Sequence, residues 1–287
     1  IPNSITSIGV NAFNGCKSLT SITIPDSVTS IGSSAFSGCS SLTSIVIPDS
    51  VTSIGSGTFE NCTSLTSIVV DNKNENYKST DGNLYTKDGE KLIQYAIGKN
   101  AKSFTMPDSV TSIGYSAFYY CTSLTSVTIP DSVETIGEYA FAYCSNLVNA
   151  PVIPNSVTSM DSTFSDCNNL TGDVYIYSNE VTSAYTCFHN SGGVNIYVYP
   201  NTNTWNTFYK AMGNSTTSSV WNATLNPIRD NMTVTIELDT ESSVFDADVI
   251  NLSLLAEDPE NDINAYVPIY LIMRNGEYSI SLDQESS

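Results

Sequence analysis

Basic residues are scarce in this 287-residue chain: ten Lys and Arg stand against 29 Asp and Glu, a formal charge of −19. Such a field repels nucleic acid and anionic membranes, which removes both as partners. Histidine occurs once, at His189, and no C-x-x-C pair is present, so the usual ligand set of a zinc site is missing. No apolar run approaches the roughly 18 residues that a membrane helix requires. There is no G-x-S-x-G elbow, no P-loop and no dinucleotide fingerprint. Charged residues of both signs make up only 14% of the chain, while Ser, Thr and Asn are abundant. That balance is common in extracellular β-rich proteins. No secretory signal is visible, and the chain opens in mid-repeat at Ile1, which reads as a processed or truncated piece of a longer protein.

What is present is repetition. Proline recurs at 2, 25, 48, 107, 130 and 154, and cysteine at 16, 39, 62, 121, 144 and 167. Most steps are 23 residues, and the long step from Cys62 to Cys121 is one period plus a 36-residue insertion. A period in the twenties predicts a solenoid, because one such unit cannot bury its own apolar face and must stack on the next. Within a unit, Ile45 and Ile47 alternate with Ser44 and Val46, as in a short strand with one face inward. Pro48 ends that strand. Val28 and Ile31 supply a second inward pair, and Gly32 is expected to turn the backbone with φ > 0. Ala35, Phe36 and Cys39 fall on a short helical or 3₁₀ turn, so stacking predicts ladders of Phe (13, 36, 59, 118, 141, 164), Leu and Cys. Asp26, Asp49, Asp108 and Asp131 follow the prolines, where an aspartate can accept a backbone N–H.

The run Ser30 to Val51, SIGSSAFSGCSSLTSIVIPDSV, resembles the BspA-like (Treponema-type) leucine-rich repeat. Residues 70–100, VDNKNENYKSTDGNLYTKDGEKLIQYAIGKN, are similar to a characteristic variant of that family. The resemblance covers roughly residues 1–170. It implies a leucine-rich-repeat fold, a cell-surface or secreted setting in host-associated microbes, and a role in adhesion or ligand binding. The sixth unit departs from the pattern, with Met160-Asp161 in place of Ile-Gly.

The expected fold is therefore a repeat solenoid followed by an all-β module. Leucine-rich repeats occupy 1–171, with an insertion hairpin at 70–105. There Leu84-Tyr85-Thr86 and Lys91-Leu92-Ile93 flank an Asp88-Gly89 turn. The insertion carries Lys73, Lys78, Lys87 and Lys91, and it reads as a contact loop or, in preference, as a structural variation of the surface. Residues 172–228 form a capping region. Trp205, Phe208, Tyr209 and Met212 share one helical face there, with Thr204 as N-cap and Gly213 past the end. Residues 229–287 hold 13 of the acids and two of the bases. MTVTIEL, VINLSLLA, YVPIYLIM and YSISL read as strands of an acidic β-sandwich-like module, incomplete as it stands.

Few residues invite chemistry. The cysteines follow a Phe on the inner side of each turn, where a free thiol packs as a small apolar group. Cys187 and His189 lie two apart but lack an orienting third group, so they read as structural. Catalytic residues and cofactors are expected to be absent. Glu257, Asp258, Glu260 and Asp262 form a weak calcium candidate beside a proline, without a complete loop motif. Tyr115, Tyr119, Tyr120, Tyr139 and Tyr143 are the stronger lead, crowding two successive units at places where the first three units carry Ser, Gly or Asn, with Val10 and Glu60 the exceptions. Tyr120 and Tyr143 share one repeat position and should stack, as a ledge for a sugar ring or a protein partner, or as packing against a neighbouring loop. The leading reading is a non-enzymatic extracellular recognition or adhesion protein that binds a protein or glycan on another cell or host surface. The alternatives are a virion structural or host-recognition protein, and an enzyme or calcium-binding activity in the C-terminal module.

Overall fold

A computed structural model describes residues 1–219, 223–227, 249–258, 263–274 and 277–281. The chain divides into two compact units, Ile1–Ile228 and Arg229–Ser287. The first is a β-solenoid of about eight turns. The turns contribute short strands at up to two positions each, and the strands of successive turns pair in parallel and in register. Ser7–Ile8, Ser30–Ile31 and Ser53–Ile54 form one ladder, with Ile8, Ile31 and Ile54 directly in line. Ser44–Ile47 pairs with Ser67–Val70 in a second, residue for residue at a spacing of 23. As the alternation predicts, Ile45, Ile68 and Val127 are buried while Val46 and Val69 face solvent.

The outward face is not one sheet, however. Ser126–Thr128 pairs with Ser103–Thr105 in a separate two-stranded sheet. The insertion stands between the two: the Ile68 amide donates to the Gly82 carbonyl, and the Val70 amide to Ser79 Oγ. The insertion forms three antiparallel strands, Tyr77–Thr80, Asn83–Thr86 and Lys91–Gln94. Asp88 holds its tight turn, accepting from Thr86 Oγ1 at 2.6 Å and from the Glu90 amide at 2.9 Å. The last strand then pairs in parallel with Ser112–Ile113 and so re-enters the solenoid as a rung. Tyr95 takes the place of the missing Phe and stacks on Phe118 at 5.0 Å. The extra rung is invisible to the repeat pattern because it keeps neither Cys nor Phe.

Between strands, each turn advances by consecutive i→i+3 bonds, as from Ala35 to Gly32, Cys39 to Phe36 and Leu42 to Cys39. The inward rings stack: Phe13 on Phe36 on Phe59, and Phe118 on Phe141 on Phe164 on Phe188, at 4.8–5.8 Å. All seven thiols are free, and only Cys16 is exposed. Cys39, Cys62, Cys144 and Cys167 each donate to the carbonyl of the Phe one rung back, at 3.1–3.2 Å. Burial pushes the thiols of Cys62 and Cys167 up to about 12.

Three local expectations are corrected. Gly32 does not have positive φ; a Cβ there would lie 2.5 Å from the Val10 amide nitrogen of the turn below, so glycine is needed for close approach. The turn aspartates are exposed, and no hydrogen bond to their carboxylates is found among the described residues. The turn closes instead through the Pro carbonyl, as in Val28 to Pro25. The neighbouring serine clips it to the turn below: Ser27 Oγ to Ile5 O at 2.6 Å, Ser50 Oγ to Val28 O at 2.7 Å. The helix Asn203–Ala211 is capped by Thr202, whose hydroxyl accepts from the Trp205 amide. Thr204 is buried, and its hydroxyl bridges the Ser178 carbonyl and the Val181 amide.

The stacking continues past Cys167. Gly172–Ile176 pairs with Val194–Val198, and that strand with Ala223–Pro227. Asp161, the departure in the sixth unit, accepts from Ser183 Oγ and from the Tyr185 amide at 2.6–2.7 Å, which fastens it to the next turn. Phe208 of the helix meets Phe188 at a tilt, 6.4 Å apart. In the second unit, Val249–Asp258, Ile263–Arg274 and Glu277–Ser281 form an antiparallel meander. The segment MTVTIEL lies outside the described residues.

Candidate functional site

Every regular turn bends twice through the left-handed region, at two positions four residues apart. The first holds Asn11, Ser34, Gly57, Ser116, Tyr139, Ser162 and Thr186; the second holds Gly15, Gly38, Asn61, Tyr120, Tyr143, Asp166 and Asn190, all with φ between 49° and 71°. The amides near these bends donate to the next turn, as from Ser34 to Ser56, Phe36 to Thr58 and Gly38 to Glu60. The conformation is thus imposed by rung-to-rung closure. Glycine and asparagine suit it; a tyrosine costs on the order of 1–2 kcal/mol there. Three of the five tyrosines singled out from sequence stand at these bends.

The structure brings all five together. Tyr120 and Tyr143 stack face to face, 4.6 Å apart and within 3° of parallel. Tyr119 meets both edge-on, at 5.1 and 5.2 Å, and Tyr139 at 6.4 Å. Tyr115 meets Tyr139 edge-on at 5.9 Å and is the most open of the group. The other four are half-buried, and Tyr120 also packs against the buried core. Burial, then the neighbouring Tyr143 and Glu60, raises the Tyr119 phenol far above its ordinary range. Tyr143 is raised by burial and by the neighbouring Asp166 carboxylate. Glu60 is raised by burial alone.

Beside Tyr115 the solenoid is discontinuous. Phe59 and Tyr95 make no ring contact, and the buried core separates into one cluster ending at Leu84 and another beginning at Tyr85. A cleft of about 200 Å³ opens there, lined by residues 54–59, Tyr77, Thr86, Lys91, Ile93, Gln94 and Tyr115. Tyr115 reaches across it, its ring 3.5 Å from where a Cβ on Gly57 would stand. Sequence reasoning missed this cleft, since nothing in the repeat marks which rung will fail to stack.

The remaining candidates are not assembled for chemistry. Cys187 is fully buried, in line with Ala140 and Thr163 of earlier turns, and desolvation holds its thiol well above the ordinary range. A protonated thiol is no nucleophile. Glu257 and Asp258 end the strand Val249–Asp258, and Glu260 and Asp262 lie outside the described residues. Among the described residues no group of three His, Cys, Asp or Glu is placed to hold a metal, and no helix is long and apolar enough to cross a membrane.

A family model described as the BspA type leucine rich repeat region matches the chain in six copies, over residues 1–81 and 95–212. No curated protein shows a significant match. Among solved structures, a leucine rich cell surface protein from Faecalibacterium prausnitzii is 30% identical, with a TM-score of 0.63 over 80% of this chain. This chain spans 59% of that protein's length. The pneumococcal vaccine antigen PcpA shares the fold at 19% identity and a TM-score of 0.53, over 80% of this chain and 78% of its own.

Proposed function

The chain belongs to the BspA-type leucine-rich-repeat family, and from that premise we propose that it is a non-enzymatic extracellular recognition protein. Its five-tyrosine patch makes the contact, with a protein or a glycan. The family setting and the cell-surface relative support the location and the binding role. The observation that carries the patch is strain: Tyr120, Tyr139 and Tyr143 occupy left-handed positions that the other turns give to smaller residues, Gly, Asn, Ser, Asp166 or Thr186. The scaffold closes without rings at those bends, so their presence answers to something other than folding. Aromatic side chains with a polar tip are also the type most enriched at the centres of interfaces.

The test is a screen of the intact chain on glycan and host-protein arrays, followed by the Tyr120→Gly/Tyr143→Gly double variant against whatever binds. The variant should lose about thirtyfold in affinity, or roughly 2 kcal/mol. Unchanged binding by the double variant would overturn the assignment of the patch.

A further inference from the structure

The chemistry of the patch narrows the partner. Three carboxylates act on the rings: Glu60 and Glu138 on Tyr115, Glu60 also on Tyr119, and Asp166 on Tyr143. No Lys or Arg is among the groups acting on these three tyrosines. Glu60 is held close, its Oε2 3.0 Å from where a Cβ on Gly57 would stand. The faces of the stacked pair and the edges of Tyr119 and Tyr139 are therefore set in an acidic rim. Lys91 is among the residues lining the cleft beside Tyr115, so the receptive surface is assigned to Tyr119, Tyr120, Tyr139 and Tyr143 rather than to the cleft.

An aromatic face carries negative quadrupolar charge and attracts a cation laid over it. A carboxylate beside the ring adds to that field, and a planar guanidinium can stack on one while donating to the other. The formal charge of −19 works in the same direction at long range. A neutral sugar can donate hydroxyls to the rim but cannot match its charge, and an acidic sugar is repelled by it.

Resting on the reading of the patch as a contact surface, we infer that it recognises arginine and lysine side chains of a basic protein segment. The rings accept the cations, and Glu60, Glu138 and Asp166 pair with them.

A hexa-arginine peptide is the probe, titrated calorimetrically into the intact chain at low and physiological salt, beside a neutral Gly-Ser hexapeptide. The arginine peptide should bind and the neutral one should not. Glu60→Gln/Glu138→Gln should weaken it about fivefold, and Tyr120→Gly/Tyr143→Gly about tenfold. Asp26→Asn/Asp49→Asn removes as much charge from exposed turns elsewhere and should change it less than twofold. Circular dichroism of each variant establishes that it is folded. Equal losses in all three variants would mean diffuse attraction to an acidic protein and would overturn the inference. So would affinity indifferent to the tyrosines, or no binding at low salt. A partner from the arrays that still depends on Tyr120 and Tyr143 would then leave the contact surface standing and remove only its cationic specificity. If that dependence fails as well, both readings fall.

Discussion

Replacing Tyr120 and Tyr143 together by glycine separates a ring kept for contact from a ring kept for folding. At φ of 61° and 60° each tyrosine bears a left-handed penalty on the order of 1–2 kcal/mol, which glycine removes. Glycine gives back roughly 0.5–1 kcal/mol at each site through the freedom of the unfolded chain. Losing the 4.6 Å stacked pair costs about 0.5–1.5 kcal/mol. Some apolar burial is lost too, since both rings are half-buried and Tyr120 packs against the core. The terms nearly cancel, and the double variant should lie within about 2 kcal/mol of the parent. Phe141 supplies the contrast. Its ring is fully buried between Phe118 and Phe164, and Phe141→Ala should cost about 3–5 kcal/mol. Urea unfolding followed by far-ultraviolet circular dichroism measures both. A double-glycine variant that loses as much as Phe141→Ala would show that the tyrosines are core, and the argument from strain would fail.

Other expectations are independent of the ligand. Native 287-residue chain should react with a thiol reagent at Cys16 alone, while the unfolded chain titrates seven; two or more fast native thiols would contradict the buried ladder. Between pH 9 and 12 the unfolded chain loses protons that Cys62 and Cys167 retain in the fold, so stability should fall as pH rises through that window. The fall should be shallower in Cys62→Ala/Cys167→Ala, and equal slopes would count against the raised thiols. Gly55→Ala should prevent normal stacking, because its Cβ would lie 2.3 Å from the Ser33 amide nitrogen. Gly38→Ala has room and should cost only about 1 kcal/mol for its φ of +71°; equal losses at the two sites, read from unfolding midpoints, would refute the distinction.

The sequence by itself determined the solenoid. A spacing of 23 residues fixes which side chains share a column, so the Phe ladder, the buried Ile45 and Ile68 and the stacking of Tyr120 on Tyr143 could all be read from numbers alone. Periodicity is a one-dimensional signal, and it carries whatever every unit repeats. It could not carry what depends on the distance between neighbouring backbones. Gly32 and Asn61 both sit in turns, yet only closure against the adjacent rung makes one a close approach and the other a left-handed bend. The same closure turns Tyr120, Tyr139 and Tyr143 from merely unusual residues into strained ones. Tyr95 entered the ladder without any repeat signature, because its rung is recruited by strand pairing of Lys91–Gln94 with Ser112–Ile113 rather than by its own side chains. The carboxylates at the tyrosine patch come from turns 60 to 166 residues along the chain, and only stacking those turns side by side could bring Glu60, Glu138 and Asp166 to one surface.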